Sequence, residues 1–197
     1  MREVGHIAGG YLVTRQLVKQ WQLSKAEKNR LLALGTAAAT LPDVDVLLYV
    51  LKTRSLELSS DFDHHKWVTH TFPFYLVPGA LVYLYARTAG RTALRRQATV
   101  VTVAAATHLF QDMIGSGTGL MWAWPFSRRM DGIVVLNVTG KAWREMYRRH
   151  PVAWVERLLV GAAALTFLAD FAGRRSAPSV VEGLPLLGRL RPALSPQ

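Results

Sequence analysis

The chain holds six histidines and no cysteine, so a metal bound here must be held by imidazole and carboxylate groups. The same absence excludes a disulfide framework, a thiolate zinc site, an iron–sulfur cluster and a cysteine nucleophile. His108-Leu109-Phe110-Gln111-Asp112 sets a histidine and an aspartate four apart. On a helix they share one face and can grip one cation, or simply pair with each other. Leu41-Pro42-Asp43-Val44-Asp45 follows an apolar segment. Its carboxylates can ligate a metal through the irregular backbone that Pro42 imposes, or can complement a helix N-terminus. His65-Lys66-Trp67-Val68-Thr69-His70-Thr71 is preceded by Asp61, Asp63 and His64. Histidines five apart converge only if a helix begins between them, with Thr69 or Thr71 orienting an imidazole or capping the helix; otherwise they are interfacial histidines beside a tryptophan. His6 stands alone near the N-terminus, and His150 before Pro151 carries no assigned role.

Each pattern alone has an ordinary structural explanation. Together His6, His65, His70, His108, Asp43, Asp45 and Asp112 form a set of seven candidate ligands. An open tetrahedral site needs three from the protein. A larger set points to a two-metal centre, with ions roughly 3.5–4 Å apart clamping the attacking and leaving oxygens. Nitrogen and oxygen donors without thiolate suit zinc, with manganese or iron(II) as alternatives.

These residues must be placed by helices. Residues 3–20 carry apolar groups at helical spacing without proline. Ser24-Lys25-Ala26-Glu27 fits a capping box opening a helix that runs to about residue 39, where Pro42 ends or bends it. A helix resumes over 44–51, and the polar stretch 53–62 reads as a loop. Residues 68–86 and 97–110 are apolar and joined by Arg87, Arg91, Arg95 and Arg96, which predicts an antiparallel hairpin with His70 and His108 at the end away from the arginines. The glycine-rich stretch 115–119 reads as a loop, 133–138 is the best short strand, 141–150 a basic helix start and 151–172 the last helix. The expected fold is all-α, a single helical domain over 1–173 with short apolar, membrane-associated helices. A Pro-rich basic tail follows over 174–197.

Half of the residues are hydrophobic, yet 24 Lys and Arg face 13 Asp and Glu, a formal charge of +11. An apolar basic chain suits an anionic lipid surface or nucleic acid. No helix-turn-helix, RNP or zinc-finger pattern occurs, and the arginines flank apolar runs, so lipid is the expected partner and nucleic acid the disfavoured one. The run 72–86 measures about 22 Å as a helix, short of a hydrocarbon core of about 30 Å. If the hairpin lies in a membrane, the excess of arginine at its turn predicts a cytoplasmic turn.

The order of these motifs resembles the YdjM-like family of membrane-associated metal-dependent hydrolases. The matching elements are His6, Leu41-Pro42-Asp43-Val44-Asp45, His65-Lys66 with Thr69-His70-Thr71, His108 with Asp112, a turn at Gly117 or Gly119, and Trp124-Pro125. Lys66 replaces the family's arginine, Thr71 its serine and Gly115 a threonine. The resemblance implies a helical fold related to zinc-dependent phospholipase C. It further implies an inner-membrane hydrolase with one or two zinc ions and an ester or phosphoester substrate, either a lipid or a small molecule. Asp43 or Asp112 then takes a proton, and Lys66 and Arg128 are candidates for holding an anionic group. The rival readings are a non-catalytic membrane protein with a structural metal, and a basic nucleic-acid binder.

Overall fold

A computed structural model describes residues 1–55 and 63–175. Asp61, most of the stretch expected as a loop over 53–62, and all but the first two residues of the expected tail lie outside the described residues. The architecture is all-α. Helices α1 (Glu3–Lys19), α2 (Lys25–Ala38) and α3 (Val44–Thr53) are followed by two 3-10 turns, His64–Lys66 and Val68–His70. Then come α4 (Phe72–Thr88), α5 (Thr92–Asp112), the short strands β1 (Ile114–Ser116) and β2 (Val134–Val135), α6 (Gly140–Arg149) and α7 (Val152–Arg175).

The capping box at the start of α2 is present: Ser24 Oγ accepts from the Glu27 N–H and the Glu27 carboxylate accepts from the Ser24 N–H at 3.1 Å. The arginine-rich connection does fold α4 back on α5. Two expectations shift. The apolar run does not enter α4 at residue 68, because the backbone of Val68–His70 turns tightly and Pro73 suits the first turn of a helix that starts at Phe72. The glycine-rich loop begins as strand: Ile114 pairs in parallel with Val134, and the Ser116 carbonyl accepts from the Leu136 N–H at 2.9 Å. Gly115 there has φ +93°, and a Cβ would lie 2.7 Å from Val152, so only glycine fits.

Helix α1 packs against α2, α5 and α7, and α2 also packs on α5. Small residues let α1 and α2 approach closely. A Cβ on Gly10 would lie 2.3 Å from Ala39, and one on Gly35 would lie 2.0 Å from Thr14 Oγ1. Such small-residue contacts are the packing mode that works where lipid removes the hydrophobic driving force between helices. Val18, Leu31, Leu32 and Val100 form one core cluster, and Leu136, Tyr147, Val152 and Ala153 another. The outward surfaces of α3, α4 and α7 are apolar and exposed, as at Leu51, Leu81, Leu84, Leu158 and Leu165.

Among the described residues one helix is long and apolar enough to cross a membrane. It covers Val152–Ala172, 21 residues, of which 17% of the apolar window is buried against the rest of the chain. This helix matches the last helix expected over 151–172, and Val152 and Ala153 seat its start in the second core cluster. Helix α4, 17 residues, measures about 25 Å and stays short of a hydrocarbon core.

Gly35→Leu must push Thr14 and α1 aside and is expected to cost about 1–3 kcal/mol. Thermal unfolding in detergent should show the loss, while Ala37→Leu on the exposed side of α2 should melt close to the unaltered chain.

Candidate metal centre

The hairpin brings the C-terminal end of α5 beside the start of α4, and α1 and α3 close over the same end. The i, i+4 spacing on α5 puts His108 Nε2 2.9 Å from Asp112 Oδ2. The 3-10 turn before α4 drives His70 inward until it is fully buried, with Nε2 3.6 Å from Asp43 Oδ1 and 3.9 Å from Asp112 Oδ2. His108 Nε2 lies 3.6 Å from the same Asp43 oxygen. From α1, His6 stacks on His108 with ring centroids 3.7 Å apart, and its Nε2 lies 3.0 Å from Asp112 Oδ1 and 3.2 Å from the Met1 carbonyl. His65 reaches in from the other 3-10 turn, with Nε2 4.0 Å from Asp112 Oδ2.

The outer ring nitrogens explain this orientation. His108 Nδ1 lies 2.7 Å from the Ala39 carbonyl, to which its proton can be donated. His70 Nδ1 lies 3.1 Å from Asp45 Oδ2. His6 Nδ1 faces Gln111 Oε1 at 3.4 Å, and Gln111 in turn donates to the Gly5 carbonyl at 2.9 Å. A proton fixed on Nδ1 leaves the Nε2 lone pair facing inward, the arrangement that histidine ligands of metals adopt. His70 Nε2, His108 Nε2 and Asp112 Oδ2 are buried and lack a hydrogen-bond partner. Asp112 Oδ2 lies 2.9 Å from His108 Nε2 and 3.9 Å from His70 Nε2, and donor atoms of all three residues fall within 4.8 Å of one another, a spacing that one cation could bridge. Ligands of one tetrahedral zinc are separated by about 3.3 Å when each bond is about 2.0 Å. The donor set therefore fits a divalent cation.

Asp45 occupies a different place from Asp43. It is fully buried, accepts from the Val46 N–H at 2.7 Å and from Thr69 Oγ1 at 3.1 Å, and supports His70 from behind. Asp43 has a side chain 24% exposed, against 4% for Asp112, so the cluster opens to solvent on the Asp43 side. Burial lowers the pKa of His64 and holds His65 well below the usual imidazole range, which favours their neutral form. Burial also opposes charging of His70, but the carboxylates of Asp43 and Asp45 outweigh it and raise its pKa to about 9. A pocket that holds a proton so firmly is strongly negative, and a divalent cation answers the same potential.

The structure thus gathers His6, Asp43, His65, His70, His108 and Asp112 around one volume. Donor atoms of His64 also fall within 4.8 Å of those of Asp43, Asp45 and His70. The sequence reading had passed over His64; its signal was the adjacent His64-His65 pair, which a 3-10 turn can present to one side. Lys66 is not brought in: it is 62% exposed, with Nζ 3.4 Å from Asp63. Arg128 is exposed as well.

A model of the YdjM inner membrane protein family matches residues 1–177. The chain belongs to this family. No curated protein and no solved structure matches it. As a YdjM-family chain it is an inner membrane protein, which accounts for the exposed apolar faces of α3, α4 and α7. The match takes in every element that contributes to the cluster.

His108→Ala should abolish stoichiometric metal binding. Asp45→Asn, which keeps an acceptor behind His70 but removes the charge, should weaken binding by about 10–100-fold. Metal analysis of the purified chain and competition with a chromogenic chelator measure both.

Proposed function

We propose that this inner membrane protein is a metal-dependent hydrolase of esters or phosphoesters. Zinc is the favoured metal, with manganese or iron as alternatives, and one or two ions are held by His6, Asp43, His65, His70, His108 and Asp112. The observation that carries the reading is the set of buried, unpartnered atoms His70 Nε2, His108 Nε2 and Asp112 Oδ2, spaced so that one cation could bridge them. The possible ligand groups overlap through Asp43, His70 and His108, which leaves room for a second ion beside the first.

A divalent ion in such a cradle supplies Lewis acidity and brings the pKa of a bound water toward neutrality. The chain does the rest. Asp43, on the open side, accepts the proton of the attacking water. Asp112 stays buried and charged between His6 and His108 and keeps their rings inward. Asp45 fixes the tautomer of His70. Lys66 and Arg128 are exposed and outside the cluster, so they would meet an anionic group of the substrate only by long-range attraction.

The test is hydrolysis of a panel of chromogenic carboxylic and phosphate esters by protein purified without chelators. Asp43→Asn keeps an oxygen facing the cluster but cannot take a proton, and is expected to lower the rate by about 100-fold or more while metal content falls far less. Metal-free unaltered protein would remove the hydrolase reading; metal-loaded protein inert on the whole panel would leave a membrane protein with a structural metal.

A further inference from the structure

A groove of about 550 Å³ runs along the seam of α2, α4 and α5. Its walls are largely apolar: Leu34, Phe74, Val82, Leu94, Ala98 and Val101. Its size falls in the range of small-molecule sites, about 300–1,000 Å³. The close contact of Gly79 with Thr102 forms its floor, since any Cβ on Gly79 would fall 2.0 Å from Thr102 Oγ1.

One end of the groove lies toward the metal centre, with no ligating residue in its lining. Phe74 and Tyr75 lie in the first turn of α4, directly after the turn that buries His70. Tyr75 is within electrostatic reach of Asp43 and Asp45. Val101, His108 and Asp112 follow at helical spacing on one face of α5, so the groove and the site share that face. Val101 also packs against the cluster that contains Ala39, whose carbonyl faces His108. The other end is marked by Arg30, the only charged lining residue, about 13 Å along α2 from Ala39. From Phe74 to Val82 the apolar wall measures about 12 Å. Sideways the groove is open at Phe74 and Val82, which are exposed and in an inner membrane protein face lipid.

We propose that this groove holds one acyl chain of a membrane lipid, its carboxylic or phosphate ester at the His–Asp cluster and its chain directed toward Arg30. The assignment of substrate class rests on the hydrolase reading; the binding of the chain does not. Proximity to the cluster selects a lipid over a free hydrocarbon, because Tyr75 at that end of the groove is within electrostatic reach of Asp43 and Asp45, where the polar link of a lipid would lie. The apolar walls favour the chain, and the opening toward the bilayer lets it enter without crossing water.

Binding of lysophosphatidylglycerols with chains of 8, 12 and 16 carbons to the full metal-loaded chain in detergent, followed by native mass spectrometry, tests this. One lipid per chain is expected, with affinity rising with chain length until the apolar wall is covered. Ala98→Trp and Val82→Trp, filling the groove from opposite walls, should each weaken binding at least tenfold, with melting temperature and metal content kept. Leu158→Trp on the outer face of α7 should change nothing. Equal binding by both groove variants and the unaltered chain, or an equal loss in Leu158→Trp, overturns the proposal. A lipid bound in the groove but never cleaved upholds the groove and removes the hydrolase reading. Cleavage unaffected by Ala98→Trp and Val82→Trp keeps the hydrolase and removes the groove.

Discussion

Three carboxylates, Asp43, Asp45 and Asp112, meet at one end of an apolar bundle, and two of them are almost wholly withdrawn from water. Burying an unpaired carboxylate is prohibitive, so everything around them must supply positive charge or hydrogen bonds. Asp45 is settled by the Val46 N–H, Thr69 and His70. Asp112 takes the Met1 ammonium at 2.9 Å on one oxygen, while its other oxygen is left facing His108 without a hydrogen bond. That residual negative potential is what a metal ion answers, and the rest of the fold reads as a means of holding it.

The supporting contacts reach well beyond the cluster. The first turn of α1 is tied to α7 by Glu156, which is fully buried and accepts from Arg2 Nε at 2.7 Å, the Arg2 N–H at 3.0 Å and the Tyr147 hydroxyl at 2.6 Å. This ties the approach of His6 to the helix that is long and apolar enough to cross a membrane. At the other end of the same pair, Arg15 donates twice to Asp170 at 2.8 Å. Helix α1 is thus fastened to α7 at both ends, and lateral sliding that would carry His6 away from His108 is resisted at two points. The site is as rigid as this pair of helices.

Much of this was legible in the sequence. The i, i+4 pair on α5, the proline-led Asp43 and Asp45, and the hairpin that reunites His70 with His108 follow from spacing and hydrophobic runs. What was not legible depends on which way a short turn faces. Asp43 and Asp45 look equivalent two residues apart, yet the start of α3 sends Asp43 to the cluster and Asp45 behind His70. Lys66 lies in a ligand-bearing segment, yet a 3-10 turn points neighbouring side chains in different directions, and it faces Asp63. Charge counting was equally blind to placement. Arginines at the hairpin turn suggested a cytoplasmic side, but α6 brings Arg144, Arg148 and Arg149 to the opposite, ligand-bearing end, so the balance of basic residues selects neither side.

The cluster draws on residues from His6 to Asp112, in four short stretches of the chain: His6, Asp43 with Asp45, His64 to His70, and His108 with Asp112. Before α5 has emerged and folded back on α4, His108 and Asp112 are missing from the set, and the donors already made meet only once the intervening loops close at an entropic cost. On the proposed reading the complete donor set is a late product of the chain's biogenesis. A cation held there would be a staple across helices from distant parts of the chain, and its release would loosen α1, α3 and α5 together rather than any single helix.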